Sequence, residues 1–281
     1  MINALIDQLE PPVSDEEDDG PDVEFTFRAT AAAPESGAAC QPADCRAVIV
    51  CGAGAAAAYA LSALAPTPVP WTLEAQDTAG RVFPPPPKSP RFYTVGGQGA
   101  AHVALAVLDG PVPGDFTNAW TEVLLDAFAG AQDIVFLDRI FRAGWRVVRP
   151  KAHQEALPDA ERIAKGLERP QEPYLCGVWT AACGPDGPLE SDERLPQLPS
   201  TNALEGVPAA LLTRCEASRR RCLVALALQD GVHLAEGTVS AFEALAPLFR
   251  RLGALHADSK APDYREAVRA VVPPPSLSIY A

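Results

Sequence analysis

The chain is poor in the residues from which most enzyme and metal sites are built. Its 281 residues hold four histidines, His102, His153, His233 and His256, far apart in sequence. Seven cysteines (Cys40, Cys45, Cys51, Cys176, Cys183, Cys215 and Cys222) form no C-x-x-C pair. That spacing argues against a zinc site. The odd count suits a reducing compartment, the cytoplasm or also the nucleus. G-x-S-x-G, Walker A and H-E-x-x-H motifs are missing. Positive charge is also short. Lys and Arg number 23 against 36 Asp and Glu, a net charge of −13. Nucleic acid and anionic membranes are therefore unsuited as partners, and basic surfaces suit better. The first twenty residues lack a cationic region and carry Asp15, Glu16, Glu17, Asp18 and Asp19, so they read as neither signal nor transit peptide. One uncharged run, 47–65, approaches the length of a membrane span. It is mostly Ala and Gly with a G-x-G turn inside, and reads as a buried strand followed by a buried helix. No internal repeat is visible.

What is present is a globular chain, 48% hydrophobic, with 29 prolines that imply long irregular connections. Residues 1–22 read as an acidic, disordered arm, since the acidic run repels itself in any compact state. Val23–Arg28 alternates as a strand. Ala47–Cys51, His102–Leu108, Asp133–Leu137 and Cys222–Leu228 are continuous apolar runs, the pattern of strands covered on both faces. Tyr174–Ala181 is a further strand candidate. Helices are expected over Ala53–Leu64, over Phe116–Phe128 with Trp120, Leu124 and Phe128 four apart, over Val207–Arg219, and over Pro262–Val271. Another runs to Ala254 with Thr238 as its N-cap. Pro84–Pro87 reads as a polyproline II spacer. Apolar strands alternating with helices predict a three-layer α/β/α fold on a largely parallel sheet, as one domain over 23–272. A proline-spaced tail follows at 273–281.

The loudest motif is Gly52-Ala53-Gly54-x-x-Ala57, directly after a buried strand and opening a helix. In that context the glycines permit a tight turn beside a pyrophosphate held at the helix N-terminus. Glu74, 22 residues after Gly52, is placed to bind a ribose. Leu73–Arg81 (LEAQDTAGR) resembles the second strand of flavin-dependent amine oxidases. A small Rossmann-type flavin- or nicotinamide-binding oxidoreductase is therefore one reading. Ala57 in place of a third glycine, the crowding prolines Pro66, Pro68 and Pro70, and the short chain weigh against it. Asp133 and Asp138 flank a strand and could meet a site at its end, or serve as turn residues. Arg219, Arg220 and Arg221 read as a solvated helix end.

The C-terminus is a different kind of signal. It ends Ile279-Tyr280-Ala281, after three consecutive prolines that stiffen the approach. Such an ending offers an apolar side chain, a ring with a hydroxyl, and a carboxylate for a partner lysine. The segment Leu195–Leu212 (LPQLPSTNALEGVPAALL) resembles the proteasome assembly chaperone 1 family through Val207, Pro208, Ala209, Ala210, Leu211 and Leu212, followed by Cys215. The order of the next elements is similar as well: a buried strand at Leu223–Leu228, a helix with Thr238, Val239, Ala241 and Phe242, and a Tyr-containing end. This resemblance implies an α/β/α fold without an active site or cofactor. It implies a heterodimer with proteasome assembly chaperone 2 that binds the α-ring of the 20S proteasome during assembly. It also implies a C-terminal hydrophobic-Tyr-X tail (Ile279, Tyr280, Ala281) that inserts between neighbouring α subunits.

Overall fold

The computed structural model describes residues 23–29, 40–77, 88–96, 102–150, 154, 157–185, 187–189, 195–231, 233–256 and 262–271. The acidic arm, the tetraproline, His153 and the tail residues Ile279, Tyr280 and Ala281 lie outside them. In chain order the elements are β1 (Val23–Ala29), β2 (Ala47–Cys51), α1 (Ala55–Ala63), β3 (Thr67–Pro68), β4 (Trp71–Asp77) and β5 (Arg91–Val95). Then come β6 (Val103–Val107), α2 (Thr117–Ala127), β7 (Asp133–Phe141), α3 (Asp159–Ala164) and β8 (Leu175–Trp179). The chain closes with α4 (Val207–Ala217), β9 (Arg221–Gln229), α5 (Glu236–Ser240), α6 (Ala246–Arg251) and α7 (Tyr264–Val271).

Seven strands form one sheet in the order β3-β5-β6-β2-β7-β9-β8. Its four middle strands are parallel, and the outer ones join antiparallel. The apolar runs become these middle strands because only a strand buried on both faces can be apolar at every position. Every residue of β2 and β6 is buried. Alternation then sends Ile49, Leu105, Val135 and Leu223 to one core and Val48, Ala104, Phe136 and Val224 to the other. The first core is closed by α1, α5, α6 and α7. The second is closed by α2 and α4, together with an antiparallel ribbon of β1 and β4. Phe27 of that ribbon meets Trp71, Phe92 and Phe128 at ring separations of 6.4, 5.3 and 5.6 Å. Trp120, Leu124 and Phe128 are all buried, as their spacing predicts.

The three-layer α/β/α expectation thus describes the architecture, with antiparallel outer strands on the parallel centre. Several local expectations are corrected. The helix predicted from Thr238 to Ala254 is α5, a 3-10 turn over Ala241–Leu245, and α6. Pro247 at the start of α6 has no N–H to give a continuous helix. Thr238 is not a cap, because Ala235 holds that position. Its buried hydroxyl donates to Glu172 Oε1 at 3.0 Å. The arginine run starts at a solvated helix end, as expected, with Arg219 exposed just after α4, but it continues into β9. Arg219 adopts a left-handed φ of 55° that stops α4, and Arg220 N–H returns to Cys215 O at 2.9 Å. Arg221 opens β9 and pairs with Asp133 at 2.6 Å.

Both edges of the sheet are short or partly covered. β3 is two residues long and contains Pro68. Outside β8, Gly177 N–H donates to Pro196 O and Leu198 N–H donates to Gly177 O, both at 2.8 Å. A Cβ on Gly177 would stand 2.6 Å from Leu195 Cδ2 and 3.0 Å from Val224 O, so the segment packs closely on a position that a side chain would crowd.

Candidate functional site

Strand order locates the place where a doubly wound sheet opens. β2 lies between β6 and β7, so the chain changes direction across the sheet at β2. In open α/β sheets ligands bind at the carboxyl ends of the strands beside such a point. Here those ends are Cys51-Gly52-Ala53-Gly54 and Leu137-Asp138-Arg139. Gly52 N–H donates to Leu137 O at 2.8 Å, holding the two together. Gly54 caps α1 with φ 90°, a conformation that strains any side chain.

The crevice is filled by the protein itself. A Cβ on Gly52 would lie 2.5 Å from Asp138 Oδ1, and a Cβ on Gly54 would lie 2.7 Å from Arg139 Nη1. Arg139 N–H donates to Asp138 Oδ1 at 2.8 Å. The Arg139 guanidinium reaches Gln229 Oε1 at 3.3 Å and stands 5.0 Å from the Phe141 ring centre. Small residues are needed here to admit Asp138 and Arg139. The Asp138 and Arg139 side chains take up the space over the turn that a pyrophosphate needs, so these residues do not fit a dinucleotide. Glu74 is also misplaced for ribose binding. It lies on β4, which pairs with β1 and not with β2, and its exposed side chain stands 3.7 Å from Arg28. The oxidoreductase reading fails on both points.

Burial raises the Asp138 carboxyl from its ordinary value to about 6, partly opposed by the Arg139 N–H and charge. The folded protein therefore holds this proton more tightly than the unfolded chain. Stability contributed here is greatest below about pH 4, falls as pH rises to about 6, and then levels off. Asp138→Asn keeps an acceptor for Arg139 N–H and removes the buried charge. We expect it to stabilise the fold at pH 7.5 by up to about 3 kcal/mol, with no gain near pH 4. Urea unfolding of both proteins at the two pH values checks this; an equal difference at both would place Asp138 in water.

Other chemistry-bearing groups are poorly disposed. Cys215 has its thiol pKa lowered by the Cys222 thiol and, less, by Arg220, against the effect of burial, but it is fully buried on the inner face of α4. Burial pushes the Cys176 thiol up to about 12. Among the described residues no group of three or more His, Cys, Asp or Glu is arranged to hold a metal. No described helix is long and apolar enough to cross a membrane.

The last described helix, α7, is fastened to the body. Tyr264 stacks on Tyr59 with ring centres 6.3 Å apart, and its hydroxyl donates to Glu243 Oε1 at 2.8 Å. Arg265 Nε lies 3.0 Å from Glu236 Oε2. Through these contacts the helix before residues 272–281 is fastened to α1, α5 and the 3-10 turn after it.

No protein-family model matches the sequence, and no curated protein matches it. Solved structures do. PbaB of Pyrococcus furiosus, an archaeal proteasome activator, aligns over 88% of this chain and 94% of its own at 13% identity, with a TM-score of 0.53. The fold is that of PbaB. PbaA of the same organism, an archaeal homolog of proteasome-assembly chaperone, aligns in its monoclinic form over 82% and 84% at 14% identity and TM-score 0.51. A Thermoplasma acidophilum protein of unknown function gives 80%, 82%, 16% and 0.52. In this PbaB-like fold Asp138 and Arg139 are the residues that sequence reasoning missed as a pair. Their signal was a charged dipeptide interrupting an apolar strand at the level of the glycine turn.

Proposed function

We propose that the chain is an assembly chaperone of the 20S proteasome, acting by binding and not by catalysis. The observation that carries this reading is the fold shared with PbaB and PbaA over four fifths or more of each chain. The Ile279-Tyr280-Ala281 ending adds to it. In this proposal residues 23–272 are the body and 273–281 the tail. The partners are proteasome assembly chaperone 2, in a heterodimer, and the proteasome α subunits. The place of action is the cytoplasm or also the nucleus.

In the proposed mechanism Ile279 fills the apolar part of an inter-subunit pocket. Tyr280 packs at its wall, and the Ala281 carboxylate meets a lysine. A short tail binds weakly alone because ordering it costs entropy. A docked α7 fixes where the tail starts and so raises its effective concentration at the pocket.

The test is affinity for purified α subunits. Tyr280→Ala, or a few residues appended after Ala281, should weaken binding tenfold or more (about 1.4 kcal/mol) with an unchanged melting curve. Unchanged affinity in both variants removes the tail from the mechanism. No binding by the intact chain ends the chaperone reading.

A further inference from the structure

Two of the seven cysteines stand against each other at the margin of the second core. Cys40 Sγ and Cys45 Sγ are 3.9 Å apart, and both are free thiols. A 3-10 turn over Pro42–Asp44 holds them there. Asp44 N–H donates to Gln41 O at 3.0 Å, Cys45 N–H donates to Pro42 O at 3.1 Å, and Gln41 N–H donates to Asp44 Oδ2 at 3.2 Å. Pro42, buried at the first position of the turn, fixes its own φ. The two thiols also share one acceptor, with Cys40 Sγ 3.6 Å and Cys45 Sγ 3.8 Å from Gln41 O.

The turn is anchored to the body. A Cβ on Gly130 would clash with Ala43 O, so the chain after α2 packs directly on the turn. Arg46 N–H donates to His102 O at 3.0 Å, and Arg46 O accepts from Gln132 N–H at 2.8 Å. These bonds tie the residue after Cys45 to the starts of β6 and β7. The two cysteines differ in access. Cys45 is buried in the second core, whereas Cys40 packs against that core and stays partly exposed. The other thiols are disposed differently. Cys51, Cys176, Cys215 and Cys222 are buried, and Cys183 directs its thiol to Cys222 O at 3.6 Å.

We infer that Cys40 and Cys45 form a dithiol–disulfide couple, a modification site whose oxidant is a low-molecular-weight disulfide of the glutathione class. The Cys40 thiolate attacks one sulfur of glutathione disulfide, forming a mixed disulfide and releasing one glutathione thiolate. Cys45, as thiolate, then attacks Cys40 Sγ, forming the Cys40–Cys45 bond and releasing the second. Two electrons pass to glutathione, and the two cysteine protons go to the two released thiolates. The first attack falls to Cys40 because it is the thiol that solvent reaches. The second is favoured because Cys45 is already held beside it. Closure brings the sulfurs from 3.9 Å to about 2.0 Å, a movement within the range of side-chain rotation. The loop that it closes, Cys40 to Cys45 at the entry to β2, is already formed by the turn. Burial, and less strongly Asp44, raises both thiols above their ordinary value, so closure is slow at neutral pH and quickens as pH rises. In a reducing compartment, where the proposed function places the chain, the couple is open at rest and closes when the glutathione pool is oxidised.

The experiment equilibrates the full chain in mixtures of reduced and oxidised glutathione, quenches it in acid, alkylates it unfolded, and reads each cysteine by peptide mass spectrometry. Wild type should gain a Cys40–Cys45 disulfide while Cys51, Cys176, Cys215 and Cys222 remain reduced. Cys45→Ala should stop at one glutathione on Cys40, and Cys40→Ser should leave Cys45 unmodified. Cys40 is partly exposed, so Cys40→Ser keeps the test open if Cys45→Ala fails to fold. The folded chain should favour this disulfide about tenfold or more over the same chain unfolded in urea, because only the folded turn holds the thiols together. Its formation should quicken between about pH 7 and about pH 8.5. An equal preference in the folded and unfolded chain overturns the inference. So does a wild-type chain that stays reduced, that stops at the mixed disulfide, or that pairs Cys40 with another cysteine. Each of these results leaves the chaperone reading standing, since no proteasome subunit takes part in the measurement.

Discussion

Gly52→Ala should destabilise the protein by about 2–3 kcal/mol, a large cost for one added methyl group. The new Cβ falls 2.5 Å from Asp138 Oδ1 and 2.7 Å from Asp138 Cγ. Gly52 is buried, and swinging Asp138 aside would break the hydrogen bond that its Oδ1 accepts from Arg139 N–H. The cost should depend on that carboxylate. In an Asp138→Ala background the same change should cost under about 1 kcal/mol, giving a coupling of more than about 1 kcal/mol. Urea unfolding of the four proteins of the cycle measures it. Additive costs would mean that Asp138 does not occupy the turn, and would reopen the crevice to a ligand.

The second large effect is expected at Tyr59. Its ring lies 5.6 Å from Phe242, 6.0 Å from Phe249 and 6.3 Å from Tyr264, so one residue joins α1 to the turn after α5, to α6 and to α7. Tyr59→Ala should cost about 3–5 kcal/mol, the range for an aromatic deleted from a packed core. Tyr59→Phe should cost under about 1 kcal/mol. The damage should spread unevenly. α7 has only eight residues and no independent stability, so amides of Tyr264–Val271 should lose exchange protection before those of the central strands. Hydrogen exchange read by mass spectrometry would show it; uniform loss of protection would mean that α7 is held by something other than this cluster. If the tail acts as proposed, Tyr59→Ala should also weaken α-subunit binding beyond its effect on stability.

Much of this fold was legible because its central strands are apolar at every position. No surface strand could be written as AVIVC or CLVALAL, so those runs identified a covered sheet and its flanking helices. What was not legible depended on contacts between distant residues. Pro247 breaks a helix whose apolar spacing continues unchanged through it. Thr238 has the chemistry of a cap, yet its partner is Glu172, 66 positions away. The glycine turn has the local sequence of a nucleotide site. Its meaning is decided by Asp138 and Arg139, which reach it only through the register of β2 against β7. The tail residues Ile279, Tyr280 and Ala281 were read from chemistry and resemblance, and nothing in the packing of the body dictates them.

The covered margins of the seven-stranded sheet have a consequence for how this molecule can associate. A bare outer strand is a template: it invites any extended chain to hydrogen-bond alongside, without regard to identity. Gln197 and its neighbours already occupy that role beside Gly177, and at the other margin β3 ends in a proline. Among the described residues, each margin thus leaves only a short stretch of backbone for an incoming strand to copy. Recognition at the sheet is thereby left to side chains, which discriminate between partners in a way that backbone pairing cannot. For a chaperone, if the proposed function holds, this limits accidental strand exchange with unassembled subunits.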